Sequence, residues 1–309
     1  MTASPLVVTL DGAAPGPAVE AFLREVRPMG VLLFARHLLS PSQVRELCAC
    51  VREALPGSPP ERILDQEGGP VNRLAALGAR YPGAQDLGGD PLRAEALAFE
   101  MGEHLRDLGF SGDFAPVVDL GPALPGTGLE GRLFGEDPET VTACAGAFLD
   151  GLQRASLWGC LKHFPGLGGS RVDSHRELPR IEGSAAEREA HLLPYRRLGG
   201  KAMAVMVAHA AVEAFGGERP TSLNPVVYSA LRSLGFQGIR ITDDLSMGAL
   251  KEWGTLEAKI EAALAAGADA AIAVAPEEEI RRTAERLRDS LPWREAVERL
   301  RNLRGGRIR

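Results

Sequence analysis

Eight short runs rich in aliphatic and β-branched residues recur along the chain, and amphipathic segments separate most of them. The runs are Leu6–Gly12, Gly30–Arg36, Arg62–Gly68, Asp113–Leu120, Leu157–Phe164, Ala204–Val212, Gly238–Leu245 and Asp269–Ala275. Several are almost unbroken apolar stretches, the pattern of parallel strands covered on both faces. Segments such as PSQVRELCACVREAL and PETVTACAGAFLDGLQ between them repeat apolar residues at helical spacing. Two helical segments end in Leu-Gly-Phe-x-Gly before the next strand, a C-cap glycine leading into an αβ loop. Eight strands interleaved with helices over 309 residues predict a single-domain (β/α)8 TIM-type barrel spanning 1–309. A doubly wound open sheet competes, but it wants a glycine-rich phosphate turn after its first strand. LDGAAPG matches that turn poorly.

Composition narrows the function classes. The chain is 45% hydrophobic and 25% charged, which is globular, and its net charge of −6 gives no electrostatic reason to bind nucleic acid or an acidic membrane. No run reaches the ~18–20 apolar residues that would span a bilayer. The first residues lack a basic segment ahead of their short apolar run, so a signal peptide is not expected and a cytoplasmic location is. Cys48, Cys50, Cys144 and Cys160 suit neither a disulfide framework nor a zinc knuckle, and all four read as structural.

In a barrel of this kind the reacting groups sit at the C-terminal ends of the strands and in the loops that follow. Asp65 and Glu67 end the third run, Asp119 the fourth, Lys162 and His163 the fifth, and Asp243 and Asp244 the seventh, while His209 lies in the sixth. Singly, each has a bland reading as a helix cap or a hydrogen-bonded core residue. The strongest segment is KHFPGLGGSRVDSHRELP, in which a Lys-His pair leaves a buried strand for a glycine-rich loop. Gly166, Gly168 and Gly169 suggest a loop that bends easily. Asp173, two residues before His175, can hydrogen-bond the imidazole and fix its tautomer.

Six segments in order resemble the glycoside hydrolase family 3 β-N-acetylhexosaminidases of the short, single-domain bacterial type. They are GVLLFAR, DQEGGPVNRL, DFAPVVDL, GRLFGEDPE, KHFPGLGGSRVDSHRELP and ITDDLSMGAL. The resemblance implies a retaining exo-hydrolase of terminal β-linked N-acetylglucosamine, with cell-wall muropeptides as the expected source. It implies Asp243 as nucleophile, His175 as acid/base catalyst and Asp173 as its partner. Asp65, Arg73, Arg132, Lys162 and His163 would hold the sugar hydroxyls. Lys162 is expected close enough to keep Asp243 ionised, and Asp244 is expected to support the strand end or cap the next turn. No metal or organic cofactor is implied, and a monomer is expected. Two positions depart from the family pattern: Leu167 replaces a histidine, and Pro70 replaces an arginine. Alternatives are a β-glucosidase, against which the Asp-Ser-His loop argues, an N-acetylglucosaminide phosphorylase, and a catalytically silent sugar-binding barrel. Should His175 not be the acid, Glu67 and Asp119 are the fallback candidates.

Overall fold

The computed structural model describes residues 3–307. Eight strands, β1 (Ser4–Val8), β2 (Pro28–Leu32), β3 (Glu61–Leu64), β4 (Gly112–Asp113), β5 (Trp158–Phe164), β6 (Ala204–Val207), β7 (Ile239–Asp244) and β8 (Ala270–Ala273), pair in parallel and close into a barrel. The closure runs through Leu6 beside Ala271 and Val8 beside Ala273. The predicted (β/α)8 architecture is therefore the one observed.

Side-chain alternation builds two concentric cores. Val7, Ile63, Cys160, Ala204, Met206, Ile239, Ile241, Ala270 and Ile272 fill the barrel interior. Their neighbours Leu6, Val8, Leu64, Leu161, Val205, Val207, Ala271 and Ala273 face outward into the layer shared with the helices. Both faces are apolar, which is why these runs read as continuous rather than alternating.

The helices are α1 (Pro17–Val26), α2 (Pro41–Glu53), α3 (Pro91–Asp107), α4 (Pro138–Arg154), α5 (Ala185–Leu198), α6 (Pro225–Ser233), α7 (Leu256–Ala266), α8 (Glu277–Leu287) and α9 (Leu291–Arg307). Five of them open on proline, where its missing N–H costs nothing. Side chains of Ser40, Asp90, Asp137, Asn224 and Thr255 cap first-turn amides. Gly109 and Gly235, the glycines of the two Leu-Gly-Phe turns, adopt φ of 95° and 85°. The sequence reading did not single out α1, α8 or α9. The last of these closes the floor of the barrel: Leu300 joins the interior cluster, and Arg299 Nε donates to Asp269 Oδ1 at 2.9 Å.

The predicted strands overrun in two informative places. The fourth was expected to reach Leu120, but its ladder ends at Asp113. Pro116 has no N–H to contribute. The chain stays beside β5 through irregular bonds, Cys160 N to Ala115 O at 2.8 Å and Val118 N to Lys162 O at 2.8 Å. Asp119 thus lies well past the end of β4. The sixth strand stops at Val207, and Ala211–Val212 instead pairs with Arg180–Ile181 in a separate two-stranded sheet. His209 falls between the two. No helix among the described residues is long and apolar enough to cross a membrane.

Candidate active site

The inward register extends from the core straight into the mouth of the barrel. On β5, Cys160 points inward and so, two residues later, does Lys162. On β7, Ile239 and Ile241 are followed by Asp243. These side chains open into a pocket of about 280 Å³ at the C-terminal end of the strands. All eight residues expected at the site, Asp65, Arg73, Arg132, Lys162, His163, Asp173, His175 and Asp243, line it.

One wall is a charged network. Lys162 is 1% exposed, and its ammonium is paired with Asp65 and, at 2.5 Å, with Glu67. Glu67 also takes a two-point contact from Arg132, 2.7 Å from Nε and 2.8 Å from Nη2. Burial alone would raise the Glu67 carboxyl, but Arg132 and Lys162 overcome it and hold the group well below the usual carboxylate range. Burial would likewise lower Lys162, yet Asp65 and Glu67 raise it above its ordinary value. These charges stay on, and Glu67 is not available as a proton donor. Lys162 is therefore committed to Asp65 and Glu67, contrary to the expectation that it sustains the charge on Asp243. Arg73 Nη2 lies 3.5 Å from Asp65 Oδ2, and its Nε is buried without a hydrogen-bond partner.

Both residues of the Asp243-Asp244 pair line the pocket, and hydrogen bonding separates their carboxylates. Asp243 faces the pocket and accepts from Asp244 N at 2.8 Å. Burial pulls its carboxyl upward, but the imidazoles of His209, His163 and His175 and the Asp244 amide leave it below its ordinary value. Asp244 accepts from Ser246 N at 2.9 Å, Ser246 Oγ at 2.6 Å and Val274 N at 3.1 Å. It holds the turn after β7, as the sequence suggested, and burial raises its pKa. His209 is a core histidine, bonded to Ser222 Oγ at 2.7 Å and Asp244 O at 2.8 Å.

The two remaining imidazoles each have a carboxylate. His163 Nδ1 donates to Asp119 Oδ2 at 2.7 Å, and the same carboxylate accepts from Leu167 N at 2.7 Å. Asp119 is fully buried, and against burial's upward pull His163 and these N–H groups hold it below the ordinary value. It too is unsuited to give up a proton. His175 Nδ1 donates to Asp173 Oδ1 at 2.7 Å, and the His175 amide bonds the same oxygen at 2.9 Å. Burial raises Asp173, but the bonds from His175 prevail and leave it lowered. With Nδ1 occupied, Nε2 is the nitrogen of His175 that can exchange a proton.

Gly166 and Gly169 take φ of 107° and 86°, the left-handed region that favours glycine, whereas Gly168 answers to packing. A Cβ on Gly168 would lie 2.3 Å from Leu120 O. Beyond the dyad, Gly248 N donates to His175 O and Ala249 N to Ser174 O, both at 3.1 Å. A Cβ on Gly248 would stand 2.6 Å from His175 O, so only glycine lets the β7 turn reach the loop. Of the two departures, Leu167 lines the pocket as an apolar wall, while Pro70 lies outside it.

Several lining residues carried no clear signal in the sequence. Arg36 stacks 4.9 Å from the Phe34 ring centroid, and Thr127, Met247 and Val274 complete the rim. Asp113 sits behind the charged wall, fully buried, with Oδ1 accepting from Gln66 N at 2.9 Å and Oδ2 without a partner. Burial, reinforced by Asp65 and Glu67, raises its pKa well above normal. Because the raised value belongs to the folded state, ionising Asp113 costs stability as pH rises above the unfolded-state pKa. Asp113→Asn should keep the bond to Gln66 N and remove that cost. We expect a higher melting temperature at pH 7.5, with the gain shrinking towards pH 4. A gain independent of pH would contradict the protonated form. Among the described residues no three His, Cys, Asp or Glu side chains converge as metal ligands would.

A barrel with acidic, imidazole and basic groups gathered at its C-terminal mouth fits many chemistries, and relatives narrow the choice. The sequence profile described as Glycosyl hydrolase family 3 N terminal domain matches residues 13–302. The chain belongs to glycosyl hydrolase family 3. A Pseudomonas aeruginosa protein named Beta-hexosaminidase is 36% identical over 253 residues, which cover 80% of this chain and 75% of that one. The crystal structure of a family 3 glycosyl hydrolase from Mycobacterium smegmatis superposes with a TM-score of 0.86 at 33% identity, over 96% of this chain and 94% of that one. M tuberculosis LpqI superposes at 0.85 with 34% identity, over 96% of this chain and 89% of that one. This family 3 chain is thus a glycoside hydrolase. Its pocket combines an inward carboxylate with a carboxylate-bound imidazole.

Proposed function

We propose that the protein is a retaining exo-β-N-acetylglucosaminidase that works through a covalent glycosyl-Asp243 intermediate. The observation that carries this reading is the convergence of Asp243 and the His175–Asp173 dyad on one pocket. A nucleophile must be ionised, and Asp243 is held below its ordinary pKa. A proton donor to the leaving oxygen must later take a proton from water, and an imidazole can do both near neutral pH. In glycosylation, the Asp243 carboxylate attacks the anomeric carbon while His175 Nε2 protonates the departing oxygen. In deglycosylation, the neutral imidazole deprotonates water as the sugar–Asp243 bond breaks. Asp173 holds the imidazole in the required tautomer. Glu67 and Asp119 keep their charges in buried pairs, so neither competes for the acid role.

The pocket, about 280 Å³, lies just below the ~300–1,000 Å³ range of small-molecule sites, which suits one terminal sugar better than a chain. Asp65, Arg73, Arg132, Lys162 and His163 surround it with donors and acceptors for hydroxyl groups. The name carried by the P. aeruginosa relative supports an N-acetylhexosamine there, and cell-wall muropeptides are the natural source we infer. The test compares nitrophenyl β-N-acetylglucosaminide with nitrophenyl β-glucoside, followed by mass spectrometry of digested muropeptide fragments. Strong preference for the N-acetylglucosaminide and release of free N-acetylglucosamine are expected, at a rate independent of phosphate. Equal turnover of the glucoside, or a sugar phosphate product, would contradict the reading.

Arg73 is assigned to sugar binding, because it lines the pocket and its guanidinium is only loosely held, 3.5 Å from Asp65. Arg73→Ala should lower kcat/KM by about 10–100-fold on every β-N-acetylglucosaminide alike, the scale of a lost hydrogen bond to a charged group. Normal efficiency in the variant would reassign Arg73 to a structural ion pair.

A further inference from the structure

The segment from His163 to Gly168 joins β5 to the dyad, and it is gripped from two sides by opposite charges. On the inner side Asp119 collects N–H groups: His163 N at 3.3 Å, Leu167 N at 2.7 Å and the His163 ring. On the outer side Arg188, from the first turns of α5, collects carbonyls. Its Nη2 donates to Gly166 O at 2.5 Å and Pro165 O at 3.4 Å, and Nη1 donates to Gly168 O at 3.1 Å. A backbone has donors and acceptors on different sides, so an anion and a cation together fix its orientation where neither could alone.

Arg188 is an expensive residue for this place. It is 3% exposed, and among the described residues no carboxylate forms an ion pair with it. Its Nε has no partner at all. Burying a guanidinium against carbonyls alone costs more than an apolar side chain of the same volume, so packing does not account for it. What the guanidinium provides is a planar fork whose N–H groups match several carbonyls in one geometry. One turn further along α5, His191 packs on the same loop, with Nδ1 standing 3.0 Å from where a Cβ on Gly166 would be. Burial and Arg188 push the His191 pKa down to about 4, so this neighbour is neutral at working pH.

We propose that Arg188 is a positioning residue for the acid–base step: it fixes Pro165–Gly168 from outside the barrel and so sets where the His175–Asp173 dyad stands over the leaving oxygen. The far end of the dyad loop is tied to Gly248 and Ala249, and Arg188 supplies the near tie. The inference rests on His175 being the acid/base catalyst. Displacing a catalytic group by about 1 Å can cost on the order of 100-fold, and the loss should fall only on the step that needs the proton.

The test uses Arg188→Lys and Arg188→Ala in the full chain, with His175→Ala alongside. Each is assayed on a disaccharide and on aryl β-N-acetylglucosaminides of graded leaving-group acidity. For Arg188→Ala we expect kcat on the disaccharide to fall about 10–100-fold, kcat on the nitrophenyl glycoside to fall less than about threefold, and KM to change little. Methylguanidinium ion should restore part of the disaccharide rate. Arg188→Lys, which folds more readily, should show the same leaving-group dependence, because one ammonium cannot span three carbonyls. Equal losses on all substrates in both variants, or no loss in either, would overturn the positioning role while leaving His175 in place. A flat leaving-group profile in His175→Ala itself would remove the acid/base reading, and this inference with it.

Discussion

Asp243→Asn is expected to lower kcat by about 10⁴-fold or more, roughly 5 kcal/mol of transition-state stabilisation, on every substrate tested. The amide is nearly isosteric and can still accept from Asp244 N, so the fold and the pocket should survive and the loss should be chemical. Asp244→Asn is the matched control. Its carboxylate is taken up by Ser246 and Val274 in closing the turn, so its replacement should cost far less and act through stability. Steady-state rates with circular dichroism on both variants check this. Substantial activity in Asp243→Asn, or a larger loss in Asp244→Asn, would contradict the assignment of Asp243 as nucleophile.

The second large effect concerns the leaving group. A nitrophenolate departs with little help, whereas a sugar alkoxide needs a proton. His175→Ala should therefore lose about 10²–10⁴-fold in kcat/KM on a disaccharide and much less on a nitrophenyl glycoside. With the nitrophenyl substrate deglycosylation becomes limiting, and azide, a nucleophile that needs no base, should raise the rate and give a glycosyl azide. Asp173→Ala should follow the same pattern more mildly, because the imidazole remains but loses the carboxylate 2.7 Å from its Nδ1. Equal losses on both substrates, with no azide product, would mean that the loop only covers the sugar.

Much of this was legible in the sequence because the relevant signals are local. The alternation of apolar runs with helical segments follows from two-sided burial of parallel strands. The dyad is legible because Asp173 and His175 are two residues apart and bond through their own turn. What the sequence hid depends on partners distant along the chain. The choice of Lys162 for Asp65 and Glu67 over Asp243 is made across 97 residues to Asp65 and 95 to Glu67, where the segment after β3 meets the inward side chain near the end of β5. The early end of β4 turns on Pro116, whose effect on the ladder cannot be read without knowing that Ala115 meets Cys160 and Pro116 meets Lys162. Arg188 looks, in a charged amphipathic helix, like one more solvated arginine. Asp113 looks like an ordinary residue at a strand boundary, although it is sealed behind the charged wall.

The central claim, a covalent bond between the sugar and Asp243, is tested most directly by trapping the intermediate. A fluorinated N-acetylglucosaminyl fluoride with fluorine at the ring carbon C5 keeps the acetamido group. Its fluorine destabilises the cationic transition states, and the good leaving group lets the first step outrun the second. After incubation, proteolysis and fragment-resolved mass spectrometry should find one added sugar on Asp243, and none in the Asp243→Asn variant. A sugar on Asp244 or Asp173 would contradict the account, as would continued consumption of the reagent with no labelled peptide.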